Sequence, residues 1–221
     1  MDLLQAMQAR HSVRAYTPQR IEGETQERLS EFLRQCEEES GLRMPLILDE
    51  PEAFGGRMAH YGKFSGARNY IALMGAQGKD LDERCGYYGE KAVLYAQTLG
   101  LNSYWVALTY SKGKSAAKPG PGERLRLVIA VGYGEGQGVP HRSKGREQVM
   151  KAQTPPEWFL RGVDAALLAP TAMNQQKFTF TLEENGTISA KAGLGFCAKV
   201  DLGIAKYHFE LGAGPERVVW R

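Results

Sequence analysis

Residues 10–14, RHSVR, and residues 169–176, APTAMNQQ, are the two stretches of sequence on which the fold prediction rests. The first stretch follows a predicted helix over residues 2–9 and holds two guanidinium groups, an imidazole and a hydroxyl. Such a set can give several hydrogen bonds and positive charge to one phosphate group. Taken alone, however, it is better explained as a solvated basic turn.

The second stretch joins an apolar helical segment to a predicted strand. Thr171, Asn174 and Gln176 place a hydroxyl and two amides in this connection. Amides both donate and accept hydrogen bonds, which suits the edge of a pyrimidine-like ring with alternating donors and acceptors. Taken alone, the stretch is again better explained as a polar turn capped by Thr and Asn.

The composition indicates a globular protein. Of 221 residues, 43% are hydrophobic, which is enough for a core in one large domain or two small intertwined ones. The net charge of +3 is small and spread along the chain, so it does not indicate nucleic-acid binding.

Three widely spaced cysteines, Cys36, Cys85 and Cys197, favour free thiols over a disulfide framework or a zinc site. No signal-like start or long apolar run is present, so we expect a cytoplasmic protein without a membrane segment.

Hydrophobic periodicity and turn signals predict a mixture of helices and strands. Helices are predicted at residues 2–9, 27–38 (with Thr25 as the cap), 86–99, 156–168 and 201–211, the last ended by Gly212. Strands are predicted at residues 45–49, 69–76, 102–108, 125–133, 178–182, 187–191 and 217–220. Residues 184–186, Glu-Asn-Gly, predict a hairpin between two of the strands. The mixed order indicates an α+β fold.

The two ends of the chain resemble each other. Residues 86–100 and 201–212 both read as helices closed by glycine, with Lys91 matching Lys206. Coincidence among amphipathic helices is one explanation. An ancient duplication is the other, with halves of about 1–110 and 154–221 joined by residues 111–153.

Together the two stretches resemble the nitroreductase family. RHSVR is similar to that family's N-terminal phosphate motif, and APTAMNQQ is similar to its APS-x-x-N-x-Q segment, with Thr for Ser. LYAQTLGLNSYWVAL resembles the family's long central helix and the Trp-containing strand after it. VIAVGYGEG followed by HRSK resembles a late strand and the basic residues near the flavin phosphate. The resemblance implies a nitroreductase-like fold with a central, mostly antiparallel sheet flanked by helices.

The resemblance also implies an activity. It implies an FMN-dependent oxidoreductase that takes a hydride from NAD(P)H and reduces a nitroaromatic, a quinone or a related small acceptor in a ping-pong cycle. The flavin performs the redox chemistry, so no catalytic side chain and no metal are assigned. The implied cofactor-binding residues are Arg10, His11, Ser12, Arg14, Pro170, Thr171, Asn174 and Gln176, with Arg142 and Lys144 as further phosphate partners. Tyr104 and Trp105 are expected in the core, and the aromatic residues 54–64 are expected to cover the substrate face.

One departure from the family is large. The APS-type segment normally follows the RHS motif by one helix, but here residues 38–44 lack it and it occurs in the second half. In ordinary members two subunits pair and each flavin lies at their interface. We therefore expect a fused pseudo-dimer with one flavin, as a monomer or a homodimer. The alternatives are a non-catalytic flavin-binding protein of the same fold and a globular protein without flavin.

Overall fold

The computed structural model describes residues 1–55 and 64–221 of the chain. Five helices are α1 (Leu3–Ala9), α2 (Gly23–Ser40), α3 (Leu81–Thr98), α4 (Glu157–Ala166) and α5 (Ala198–Ala213). Seven strands are β1 (Leu46–Ile47), β2 (Tyr70–Ala76), β3 (Asn102–Val106), β4 (Glu123–Gly132), β5 (Met150–Lys151), β6 (Phe178–Leu182) and β7 (Ile188–Ala192). Short 3₁₀ turns are formed by Pro51–Phe54, Arg146–Gln148, Ala172–Asn174 and Pro215–Arg217.

The larger sheet has the order β1-β2-β4-β3, and every neighbouring pair in it is antiparallel. Its two inner strands are largely buried. All residues of β2 except the last, Ala76, are buried, and so are the last six residues of β4. In β4, Ala130 pairs with Tyr70 on one side and Tyr104 on the other. The predicted α+β class and the antiparallel central sheet are therefore confirmed.

A smaller sheet, β5-β6-β7, lies in the second half of the chain. The predicted hairpin at residues 184–186 joins its antiparallel strands β6 and β7, while β5 pairs with β6 in parallel. Because β5 belongs to residues 111–153, that segment contributes strands to both sheets through β4 and β5.

Helices α3 and α5 cross at a very short distance in the core. A Cβ on Gly86 would overlap the carbonyl oxygen of Val200, and a Cβ on Gly203 would overlap the carbonyl oxygen of Glu83. Each glycine thus meets the carbonyl three residues before the other glycine, which is the reciprocal pattern of a two-fold axis. The pairing differs by two positions from the sequence alignment, which sets Gly86 against Asp201.

Several predicted boundaries differ from the observed ones. Helix α2 begins at Gly23 with Glu22 as its cap, so Thr25 lies inside it. Helix α3 begins at Leu81, five residues before the predicted start at Gly86. Helix α5 continues through Gly212 to Ala213. Gly212 allows close packing there, because a Cβ at this position would lie 2.6 Å from the carbonyl oxygen of Arg161 in α4.

The predicted strand at residues 217–220 is wrong. Residues Pro215–Arg217 form a 3₁₀ turn, and Trp220 makes a single isolated bridge to Ile188. A strand needs a ladder of hydrogen bonds along its length, and here the backbone bonds of Val219 and Arg221 reach only Ile188 of β7. Residues 56–63 of the aromatic segment lie outside the described part of the chain. Within the described part, no helix is long and apolar enough to cross a membrane, and Cys36, Cys85 and Cys197 are free thiols in the interior.

Candidate functional site

A cavity of about 630 Å³ brings together the two stretches that the sequence singled out. Its wall includes Arg10, His11, Ser12 and Arg14 from the first stretch and Pro170, Thr171 and Asn174 from the second. Two segments from opposite ends of the chain therefore face one cavity.

The first wall is positioned by strand β3. Helix α1 ends at Ala9, and the chain then turns extended at Arg10. Ser12 forms a parallel bridge with Ser103 of β3, and the amide of Val13 donates to the Ser103 carbonyl at 3.1 Å. Arg14 lies over the Tyr104 ring, 4.2 Å from its centroid, and donates to its hydroxyl at 2.6 Å. The basic side chains are thus held on a strand edge.

The second wall is a tight turn after helix α4. Its backbone is left-handed at Met173, Asn174 and Gln176, with φ of 52°, 53° and 44°. Such values are costly for residues other than glycine and persist only where the surroundings impose them. Asp201, at the start of α5, imposes them by accepting from the Ala172 amide at 3.0 Å and from Gln175 Nε2 at 2.7 Å.

Residues 142–144 support the turn from behind. The Arg142 carbonyl accepts from Asn174 Nδ2 at 2.8 Å and from Gln176 Nε2 at 2.9 Å. Lys144 Nζ donates to the Gln176 carbonyl at 2.9 Å. In the described part of the chain, Arg142, Lys144 and Gln176 are not among the residues that line the cavity. The resemblance implied that all three bind the cofactor, with Arg142 and Lys144 at its phosphate; the structure places them behind the turn, where they hydrogen-bond with it.

Arg10 is not part of a solvated basic turn, because it is only 3% exposed. Its Nε lies 3.7 Å from Oε1 of Glu90, which is fully buried, and this Nε has no hydrogen-bond partner among the described residues. Burial lowers the pKa of Arg10, and the charge of Glu90 opposes that shift. A buried charge needs such a partner, since the loss of hydration costs several kcal/mol.

Glu90 also joins Arg10 to a second buried group. It accepts from Trp105 Nε1 at 3.0 Å and lies 2.9 Å from His208 Nε2. The other ring nitrogen of His208 faces the Ala165 carbonyl at 3.0 Å. A carbonyl oxygen only accepts, so Nδ1 must donate to it. One hydrogen must then lie between His208 Nε2 and the Glu90 carboxyl group.

The electrostatic character changes from one side of the cavity to the other. Burial lowers the pKa of His11, and the neighbouring Arg10 and His141 lower it further. His141 also lines the cavity, with Nε2 3.0 Å from the Leu167 carbonyl. Burial raises the pKa of Asp201 to about 6, although its hydrogen bonds from Ala172 and Gln175 act in the opposite direction. Basic side chains therefore line one side, and a carboxyl group lies on the other.

The sequence prediction missed several residues of this region. Asp201, Glu90 and His208 were not singled out, and His141 was noted only as part of HRSK. Tyr104 and Trp105 were expected in the core rather than stacked on a flavin. Both aromatic residues are partly buried against the core and also line the cavity. In the described residues, no group of three or more His, Cys, Asp or Glu side chains that could hold a metal ion is present.

The match to a known family covers nearly the whole chain. A family model described as "Putative TM nitroreductase" matches residues 2–213. The chain belongs to the nitroreductase family. The resemblance on which the fold prediction rested is therefore confirmed. No curated protein matches the chain.

Solved structures agree with this nitroreductase assignment at the level of the fold. A "putative nitroreductase" from Thermotoga maritima MSB8 has a TM-score of 0.69 and 20% identity, covering 96% of this chain and 83% of its own. A "putative nitroreductase in complex with FMN" from Desulfovibrio desulfuricans has a TM-score of 0.53 and 19% identity, covering 70% of this chain and 99% of its own. A "Putative NADH dehydrogenase/NAD(P)H nitroreductase" from Bacteroides thetaiotaomicron has a TM-score of 0.53 and 18% identity, with 69% and 98% coverage.

Proposed function

We propose that this nitroreductase binds FMN in the cavity and transfers electrons from NAD(P)H to a small acceptor such as a nitroaromatic or a quinone. The observation that carries the proposal is the meeting of residues 10–14 and 170–174 in one cavity. Family membership supports it, as does a structural neighbour that was crystallised with FMN.

The cavity suits FMN in both size and donor chemistry. Its volume of about 630 Å³ lies within the range of small-molecule and cofactor pockets. A phosphate monoester needs several donors and positive charge, which Arg14, His11 and Ser12 can supply from one strand edge. A flavin ring edge alternates donors and acceptors, which the hydroxyl of Thr171 and the amide of Asn174 can match.

Within this proposal, each group of residues has a distinct task. Arg10, Ser12 and Arg14 would hold the phosphate and ribityl end, while Pro170, Thr171 and Asn174 would contact the ring or the ribityl chain. Gln176, Arg142 and Lys144 would keep the second wall in place through their mutual hydrogen bonds. FMN, when bound, would supply the two-electron redox chemistry, which these side chains do not provide themselves. Donor and acceptor would occupy the same cavity in turn.

We further propose that the chain is a fused pseudo-dimer with one FMN. Each wall comes from a different half, residues 1–110 and 154–221. The reciprocal contacts of Gly86 and Gly203 support this arrangement, because an internal two-fold axis between α3 and α5 would produce them. A monomer would then suffice for cofactor binding, and a homodimer would contain two such sites.

Stopped-flow spectroscopy of the FMN-loaded protein tests the proposed activity. We expect the visible absorbance of the oxidised flavin to bleach when NADH or NADPH is added and to recover when a quinone follows. Flavin that binds but stays oxidised under an excess of both nucleotides would identify the protein as a non-catalytic flavin binder. A protein that binds no flavin would contradict both proposals.

A further inference from the structure

The mouth of the cavity has an exposed apolar rim. Leu108, Val139, Met173 and Phe196 are 57%, 79%, 82% and 43% exposed, and all four line the cavity. They make up half of the large hydrophobic side chains that are exposed in the described part of the chain. Exposed apolar residues scattered singly need no explanation, but a group of them around one opening marks a binding surface.

The four rim residues come from four separate segments of the chain. Leu108 follows β3, Val139 lies between β4 and β5, Met173 belongs to the left-handed turn, and Phe196 precedes α5. At Met173 the backbone holds the side chain outward in a conformation that is costly for a residue with a Cβ. The fold therefore gathers these side chains at the opening, and no single apolar segment accounts for them.

The interior of the cavity continues the apolar surface inward. Leu127, Val200 and Ile204 also line it, whereas the basic residues are grouped along the strand edge of β3. A molecule that lies in the cavity and extends through its mouth would thus contact apolar side chains on the way out. A compact polar acceptor would leave the rim in water.

We infer that the electron acceptor is a quinone with an apolar tail, whose flat head enters the cavity and whose tail lies across Leu108, Val139, Met173 and Phe196. The reaction is balanced as quinone plus NAD(P)H plus one proton giving hydroquinone plus NAD(P)⁺. Two electrons and one proton leave the nicotinamide as hydride, and the second proton comes from solvent. The inference rests on the proposed function, and it names the substrate class of the same site.

A series of benzoquinones with the same head and longer alkyl tails tests the inference. Full burial of one methylene stabilises binding by about 0.8 kcal/mol, so kcat/KM should rise up to about fourfold per methylene until the tail passes the rim. The rise should disappear in the double variant Leu108→Ser/Val139→Ser, while kcat/KM for the tailless quinone stays within about twofold. The matched control is Leu4→Ser/Val219→Ser, which changes two exposed apolar residues that do not line the cavity and should keep the full rise.

The outcomes separate this inference from the proposed function. Turnover of the tailless quinone with no dependence on tail length would overturn the inference and leave the proposed function standing. Absence of flavin reduction by NAD(P)H would overturn the proposed function itself. If the wild type sediments as a dimer at assay concentration and Leu108→Ser/Val139→Ser makes it a monomer, a second copy of the chain covers the rim, and the inference is wrong.

Discussion

Replacing Glu90 by Gln should destabilise the protein strongly, because it removes the charge that compensates a buried guanidinium. Glu90 is fully buried, and Arg10 is only 3% exposed at the cavity wall, so water compensates the Arg10 charge poorly. Removing one partner of a buried ion pair costs about 3–5 kcal/mol. The variant also replaces the carboxyl group of Glu90 by an amide. In the wild type this carboxyl group shares one hydrogen with His208 Nε2, which lies 2.9 Å away.

Urea unfolding followed by circular dichroism measures this loss directly. For a chain of this size, about 3–5 kcal/mol corresponds to a fall in the melting temperature of about 6–20 °C. The matched control is Glu24→Gln, which breaks the exposed ion pair with Arg28 and should change stability by less than about 0.5 kcal/mol.

A double-mutant cycle with His208→Gln isolates the shared hydrogen. Because Glu90 and His208 are bonded to each other in the interior, their two effects should not add, and the coupling should exceed about 1 kcal/mol. A loss below about 1 kcal/mol for Glu90→Gln, or additive effects in the cycle, would refute the account of this network.

Two further predictions concern the helices around the site. Since burial raises the pKa of Asp201 from 3.8 to about 6, the folded state binds this proton more tightly. The stability of wild type relative to Asp201→Asn should therefore be greatest below about pH 4 and fall as the pH rises to about 6, by about 3 kcal/mol; a difference that is flat over pH 4–7 in urea titrations would contradict this. Gly86→Ala and Gly203→Ala should each cost about 1–3 kcal/mol or more, since each Cβ would overlap a backbone carbonyl. Gly136→Ala, where a Cβ meets nothing within 4 Å, should stay within about 1 kcal/mol in the same urea unfolding measurement. Equal effects at all three positions would show that the close helix crossing is not needed.

Much of the fold could be predicted because its strands are apolar runs with clear ends. The segment 69–76 and the hairpin around residues 184–186 were found from their patterns. The errors have a physical cause in tertiary contacts. Gly212 reads as a helix end in the sequence, yet it lies inside α5 because another helix packs against it. Residues 217–220 have strand-forming side chains, but they pair with β7 only through one bridge between Trp220 and Ile188.

The candidate site was predictable only where its chemistry is local in sequence. Residues 10–14 and 170–174 each carry several polar groups in a short stretch, so the sequence shows them. Glu90 and His208 form a pair across more than half of the chain, and neither stands out from an ordinary helix residue. One signal was present: Glu90 falls three residues before the apolar Val93, on the inward face of α3. The apolar rim could not be predicted, because exposure is a property of the folded chain.

The central claim is that two segments from opposite ends of one chain form a single FMN site. Titration of the apoprotein with FMN, followed by flavin fluorescence, tests it most directly in wild type, Arg14→Ala and Asn174→Ala. The account predicts one FMN per chain in the wild type. Arg14→Ala should lower the affinity at least about tenfold, because a charge-assisted hydrogen bond is worth about 1.5–3 kcal/mol, and Asn174→Ala should lower it about two- to tenfold, because a neutral one is worth about 0.5–1.5 kcal/mol. The control Arg20→Ala, at an exposed arginine outside the cavity, should bind as the wild type does. Two FMN per chain, no binding at all, or a loss in only one of the two site variants would contradict the account.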